Sequence, residues 1–382
     1  FTRDEILSML AKEMLDAAEQ LPASQPEVGR IHKYIALAYA AKIKLYQAYQ
    51  QDEITHAVTS INKELLREVV SLCDQVTASN RYGLLDDFQG LDLVTNENGK
   101  ESVFAIQYSM NDGTESAGRI NWSNLLNSPG GGSPYGGDGF FLPSQDLINA
   151  YQTDANGLPD FNYQSKSDYS WAVLNNGVYT LQNTTPNVDP RLDFVVGRPT
   201  ITWKTYPDKP CEGWVRDKDT YGYNCAKRFW VSPESSDMFN GWPWGASQLN
   251  WQIIRYADIL LWKAEALIEL NEGNGLETAR DLINQIRNRA RNSAYVKDFN
   301  DHSKYAANYL VNPYPADVWN QDYARQALRW ETRLEKALEG ERFFDLVRWG
   351  IVETTMNKYI TAESDNRIYY ANAHFTGGKD EY

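Results

Sequence analysis

The sequence predicts a mainly helical protein in which helix pairs stand at both ends and a loop-rich, short-strand region is inserted between them. Three observations carry this. Apolar residues step by three or four over residues 1–80, the helical period fails over 81–250, and it returns over 251–382. The chain is read as one domain with these three parts. Its 382 residues, 42% of them hydrophobic, suffice for a large core.

In the first part Leu7, Leu10, Met14, Ala18 and Leu21 form a stripe, Thr2 and Glu5 spell a capping box, and Pro22 and Pro26 end the helix. Ile31, Ile35, Ala38, Ala41, Leu45 and Ala48 make a second stripe whose small residues allow close helix approach. Val58, Ile61, Leu65, Val69, Leu72 and Val76 make a third. In the middle part Gly, Pro, Asn and Asp punctuate strand-like pieces such as 102–108 and 194–196, and one short helix is expected from Ser144 to Tyr151. In the last part Ile254, Ala257, Leu261, Ala264 and Ile268 face Ala279, Leu282, Ile286 and Ala290 across a Gly273–Gly275 turn, a pair of tetratricopeptide size. Ala327, Trp330, Leu334 and Leu338 predict a further helix stopped by Gly340, and a shorter one follows around Arg342–Trp349.

Composition narrows the function. A net charge of −14 with no local basic stripe argues against nucleic-acid binding. No run of 18 apolar residues offers a transmembrane helix. The chain opens at Phe1 inside a helix-like segment, without a signal-peptide pattern, and reads as a processed or truncated product. Its four histidines form neither HExxH nor a ligand cluster, and no GxSxG elbow occurs. The glycine run 130–139 lacks the Lys-Ser/Thr of a phosphate loop and reads as a surface loop. Asp217, Asp219 and Gly222 hint at a calcium loop, but Tyr221 and Arg228 stand where ligands should, so a turn is expected. No pair among the 51 acids is singled out for glycosidic hydrolysis, so neither an enzyme nor a cofactor or metal is assigned. Cys211 and Cys225 bracket a loop that a disulfide could close in an oxidising compartment; equally, both could remain thiols.

The positive signal is aromatic. Seven of the 12 tryptophans fall at 171, 203, 214, 230, 242, 244 and 251, inside the region that lacks regular elements. Flat rings beside Asp, Asn and Lys on loops suit the C–H faces and hydroxyls of sugars, and the competing reading is core filling for a lobe short of aliphatic strands. Trp203, Tyr206, Trp214, Trp242 and Trp244 are taken as candidate platforms, with Asp208, Lys209, Asp217 and Lys218 as hydroxyl partners. Trp242 and Trp244, on a Gly241–Gly245 turn, are the better surface candidates, whereas Trp251 beside the Ile254 stripe is expected to be buried.

Ordered motifs along the chain resemble the SusD/RagB family of Bacteroidetes surface glycan-binding lipoproteins. They are EILSMLAKEMLDAAEQLP (5–22), GRIHKYIALAYAAKIKLYQAY (29–49), RYGLLDDF (81–88), ESVFAIQYS (101–109), FFLPSQDLINAYQTDANGLP (140–159), DPRL (189–192), IIRYADILLWKAEALIELNEG (253–273), ARDLINQIRNRA (279–290) and RWETRLEKALEGERFFDLVRWG (329–350). Most of these residues have a scaffold explanation: Glu339, Arg342, Asp345 and Arg348 are spaced for ion pairs, and Phe343, Phe344 and Trp349 are expected to plug the core. The resemblance implies a superhelical scaffold of four tetratricopeptide-like helix pairs with a shallow, non-catalytic aromatic site. It also implies a lipid-anchored protein on the outer face of the outer membrane, delivering glycan to a SusC-like, TonB-dependent β-barrel importer. A transporter-docking module without its own glycan affinity is the alternative. Relatives carry a signal peptide, a lipidated Cys and an initial helical stretch before the segment matched by Phe1–Pro22, so part of the first helix pair and of the binding arc is expected to lie outside this chain.

Overall fold

A computed structural model describes residues 1–114, 118–127, 130, 132–210, 213–216 and 222–366. Helix α1 (Arg3–Gln20) starts with the capping box read from the sequence: the Thr2 hydroxyl accepts from the Glu5 N–H at 3.2 Å and the Glu5 carboxylate from the Thr2 N–H at 2.8 Å. It packs on α2 (Lys33–Ala48), and α2 packs on α3 (Lys63–Ala78). Along α2 the alanines 36, 38, 40, 41 and 48 are buried, so neighbouring helices approach with only methyl groups between them. A two-stranded hairpin, β1 (Tyr49–Gln51) with β2 (Val58–Ile61), joins α2 to α3.

The middle region leaves and re-enters the helices at one place. Strand β3 (Ser102–Ile106) pairs antiparallel with the last strand of the region, Trp251–Arg255, with Ser102 opposite Arg255 and Ile106 opposite Trp251. Among the described residues between them are the short helices α4 (Asn124–Asn127), α5 (Gln145–Ala150, its Leu147 N–H bonded to the Ser144 hydroxyl) and α6 (Arg191–Val195). Small antiparallel pairs complete the region: β4 (Gln152–Thr153) with β7 (Asn187–Val188), β5 (Ala172–Asn175) with β6 (Val178–Leu181), and β8 (Val196–Gly197) with β9 (Cys225–Ala226). The strand expected at 194–196 is therefore mostly helix. Pro190 sets the helical φ ahead of it, and the Asp189 carboxylate accepts from the Arg191 N–H.

Strand β10 (Trp251–Arg255) runs straight into α7 (Tyr256–Leu270), whose first turn is closed by Asp258 accepting from the Arg255 N–H at 2.7 Å. Helix α7 ends at Asn271, in the left-handed conformation at φ 51°, and the turn delivers the chain to α8 (Gly275–Asn292), which packs back on it. Then follow α9 (Gln321–Glu335), α10 (Arg342–Arg348) and α11 (Val352–Asn366). The largest core cluster joins α2, α3, α7, α8 and α9, which makes the two helical ends one packed body.

Helix α9 and the turn after it carry Glu331, Glu335 and Glu339 at four-residue spacing on a buried face. Arg191 of the DPRL segment bonds Asp189 at 2.7 Å, Glu331 at 2.6 Å and Glu335 at 3.2 Å. Arg255 reaches Glu101 at 2.7 Å, Glu335 at 3.0 Å and Glu339 at 2.7 Å. Arg287 pairs with Glu331, Arg289 with Glu101 and Glu335, and Arg228 with Asp92 and Glu339. This network crosses from the helices into the middle region, so the family-like motifs act as scaffold. Arg348 pairs with Asp345 and Glu265, as the spacing of the last motif suggested for Asp345, whereas the Arg342 guanidinium donates to the Arg329 carbonyl.

Phe343 and Phe344 do not plug the core. They are 56% and 58% exposed, because on the short helix α10 the buried side is held by Asp345, Leu346 and Arg348 with Trp349 behind them, leaving 343 and 344 on the opposite arc.

Candidate functional site

The middle region has its own aromatic core. Tyr135 lies 5.3 Å from Trp203 and 4.9 Å from Trp230 between ring centroids, and Trp203 meets Trp214 edge-on at 5.7 Å. The buried Tyr135 hydroxyl donates to the Val231 carbonyl at 2.6 Å. Gly197 is required beside this core, since a Cβ there would stand 2.6 Å from Trp203 and 2.7 Å from the Cys225 sulfur. Cys225 is a buried thiol, and Cys211 lies outside the described residues.

This packing corrects two of the expected platforms. Trp203 is fully buried and Trp214 is 3% exposed, so other side chains already cover their faces. Tyr206 is half-buried against Trp214, at 5.8 Å between centroids. Partial burial, and then the Asp208 carboxylate beside it, push its hydroxyl pKa up. Asp208 is exposed, and Lys209 is drawn over the Phe299 ring at 4.6 Å, toward the segment that precedes α9. Asp217 and Lys218 lie outside the described residues. Trp251 is half-buried, its ring 4.5 Å from Phe229.

Trp242 and Trp244 are at the surface, 59% and 49% exposed. They occupy the tip of a loop closed by a bridge between Met238 and Ser247 and by the Phe239 N–H bonding the Ala246 carbonyl at 2.9 Å. The tip is braced from two sides. Gly245, at φ 72°, lets the loop settle onto the core, where a Cβ would come within 2.8 Å of Trp230. Gly136, at φ 67°, makes room for the root of Trp244, whose Cβ and Cγ lie 3.4 Å from where a Cβ would be. The Gly136 loop is itself held: Arg216 donates to the Gly137 carbonyl at 2.7 Å and to Asp138 at 3.1 Å, and Gly132 N–H bonds the Gly213 carbonyl at 3.0 Å.

Two further exposed rings stand on the segments that flank this tip. The Asn121 N–H bonds the Ser247 carbonyl at 2.9 Å, which sets the 47%-exposed Trp122 beside the base of the tryptophan loop. Phe140 is exposed directly after the glycine run, its N–H on the Leu126 carbonyl. Their adjacency to Asn, Gly and Ser was the available signal. The tip thus offers flat apolar faces near the Arg216 guanidinium and the Asp138 carboxylate on a backbone fixed before any ligand arrives, an arrangement that can stack rings and bond hydroxyls. Among the described residues no group of three or more His, Cys, Asp or Glu is placed to hold a metal ion, and no helix is long and apolar enough to cross a membrane.

Comparison with known proteins agrees with this architecture. The sequence profile of the SusD family matches residues 100–378. A SusD-like protein of Bacteroides fragilis is 24% identical over 91% of this chain and 60% of its own, with a TM-score of 0.58. A SusD-like carbohydrate-binding protein of the same species is 20% identical over 97% and 63%, at 0.62. Surface glycan-binding protein A of Bacteroides fluxus is 19% identical over 92% and 60%, at 0.57. The chain therefore spans about three fifths of the length of these structures. A search of curated protein sequences returns no match.

Proposed function

Because the chain belongs to the SusD family, we propose that it captures carbohydrate without catalysis and passes it to a SusC-like, TonB-dependent importer, with Trp242 and Trp244 as sugar platforms. The observation that carries the proposal is the braced tip: two large rings face solvent on a turn whose glycines and aromatic core fix it. A protein with no better use for these indoles would bury them, since each exposed ring forgoes a few kcal/mol of burial. Stacking adds about 0.5–1.5 kcal/mol per ring pair beyond burial. Two or three such contacts, together with the apolar area they bury, give roughly 4–8 kcal/mol, or millimolar to micromolar binding, which suits capture followed by release. Tyr206 stays a platform and Asp208 and Lys209 hydroxyl partners in this reading, and the membership supports a lipid-anchored place on the outer face of the outer membrane.

Affinity-gel electrophoresis against starch, xylan, xyloglucan, mannan, levan, pectin and mucin glycans tests it. Retardation in one gel, lost on changing Trp242→Ala and Trp244→Ala together with the melting temperature kept within about 1 °C, is the expected result. Retardation that survives both changes refutes the platform assignment.

A second reading, a docking module without glycan affinity, is favoured by one feature. Helices α1 and α2 enclose an open apolar groove of about 970 Å³ lined by Leu7, Leu10, Met14, Ile31 and Ile43, and Ile6 and Met9 are exposed nearby. Co-purification with an importer and no retardation in any gel would select it.

A further inference from the structure

A polar cleft of about 480 Å³ lies far along the chain from the tryptophan tip, between the loop before α2, the turn after α3 and strand β3. Its volume falls in the range of small-molecule sites, about 300–1,000 Å³. Although the chain carries a net −14, the cleft gathers Arg30, His32, Arg81 and Lys100 against one carboxylate, Glu27. Arg30 is held by Glu27 at 2.5 Å, and Lys100 is paired with Asp86 at 2.9 Å. Arg81 has no carboxylate in salt-bridge reach among the described residues and is exposed at the cleft.

His32 is the second and independent observation. It is 8% exposed, it lines the cleft, and its Nδ1 has no hydrogen-bond partner. Its Nε2 stands 3.2 Å from the Tyr82 hydroxyl, and the Arg81 charge acts on both side chains. The Tyr82 hydroxyl has one hydrogen to give, and His32 Nε2 lies within reach of it. When Nε2 accepts that hydrogen, the proton of the neutral imidazole is on Nδ1, which is then a buried N–H with nothing to receive it. Burial, and then Arg81, hold the imidazole pKa down, consistent with that neutral form.

The remaining walls suit a sugar ring. Asn98 and Gln107 bond each other's amides at 2.9 and 3.0 Å, and Gly29, at φ 82°, closes the loop onto Gln107, where a Cβ would stand 2.7 Å from its side chain. Tyr82 and Phe104 add flat faces.

We infer that this cleft is a second binding site, distinct from the tryptophan rim, for the carboxylate or sulfate group of an anionic sugar. The anion takes the Arg81 fork and the His32 Nδ1–H, and the Asn98 and Gln107 amides meet ring hydroxyls. The anion preference stands on the cleft alone; the sugar rests on the reading of the protein as a carbohydrate binder.

Titration calorimetry of the whole chain with trigalacturonate, galactose 6-sulfate, galactotriose and inorganic sulfate tests the inference, and the first two tell carboxylate from sulfate. The expected result is binding of at least one anionic sugar at least tenfold tighter than galactotriose. Arg81→Gln, a surface change, should weaken it at least tenfold. His32→Phe, which keeps a ring and removes the Nδ1–H, should weaken it several-fold, and the Trp242→Ala, Trp244→Ala pair should leave it within twofold. Absence of heat with every anion, or unchanged affinity in both cleft variants, overturns the inference. Inorganic sulfate binding as tightly as the sugar-borne anions overturns the assignment to a sugar. Retardation of neutral polysaccharides in gels reports on the tryptophan rim separately, so failure of the cleft and failure of the carbohydrate reading give different patterns.

Discussion

Changing Glu335 to Gln probes the charge network that ties the helices to the middle region. Glu335 is fully buried, and its carboxylate accepts from Arg255 at 3.0 Å, from Arg191 at 3.2 Å and from Arg289. Burial alone would raise its pKa, but Arg289, Arg255 and Arg191 outweigh it and hold the carboxyl down to about 2. A fall from 4.5 to about 2 corresponds to roughly 3 kcal/mol favouring the charged form in the folded state. Removing one partner of a buried ion pair typically costs about 3–5 kcal/mol, because the partners are left uncompensated. The two routes agree on about 3–4 kcal/mol. With an unfolding entropy near 2.1 cal/mol/K per residue, a chain of 382 residues should lose about 4–5 °C in Tm. The sign in pH follows from the depressed carboxyl: its stabilisation is present above the ordinary value of 4.5 and is lost as pH falls toward 2. Calorimetric melts of the parent and the Glu335→Gln variant at pH 7.5 and pH 3 should show the gap at pH 7.5 and a narrower one at pH 3. An unchanged or raised Tm at pH 7.5, or a gap that widens in acid, would refute the account.

Trp203→Ala should cost about 3–5 kcal/mol and lower Tm by several degrees, since it empties the centre of the aromatic core; a change within 0.5 kcal/mol would return Trp203 to the surface. Phe343→Ser with Phe344→Ser should leave Tm within about 1 °C, because neither ring is buried, and a large drop would contradict their exposure. Half-burial, with Asp237 nearby, pushes the Glu97 carboxyl up to about 7 although it accepts the Asn250 N–H. The folded state therefore binds that proton more tightly than the unfolded chain, and stability declines as pH rises from about 4.5 to about 7. After allowance for solvent screening of a half-exposed group, Glu97→Gln should gain about 1–2 kcal/mol at pH 8 and flatten that decline in chemical denaturation, and a loss at pH 8 would sink the argument.

Local signals were legible in the sequence because both partners sit within one turn. The Thr2–Glu5 box, the Ser144 cap and the turn after Leu270 needed only residues three or four apart. The charge network was not legible in the same way. The four-residue spacing of Glu331, Glu335 and Glu339 was visible, but their partners Arg191, Arg228 and Arg255 lie some 80–140 positions away. Trp203 and Trp242 share a loop-like, polar neighbourhood in sequence. What separates them is long-range packing: Gly197 lets the chain close onto the Trp203 ring, whereas Gly245 sets the Trp242 loop on Trp230 and leaves Trp242 outside. Phe343 and Phe344 misled for a related reason: a seven-residue helix is too short for periodicity to say which arc faces inward.

The pairing of β3 with β10 means that the middle region begins and ends on neighbouring strands. A segment rooted this way is a closed loop, and the entropy of closing a flexible loop grows only with the logarithm of its length, about 0.6 kcal/mol per doubling. Lengthening, shortening or rewriting the tip around Trp242 and Trp244 would thus leave the strand pair below it almost unaffected, provided the Glu335 and Glu339 contacts persist. On this plan the tip is exchangeable like a tool head on a handle, and a graft of another tip onto the same strand pair becomes a practical route to altered surface chemistry.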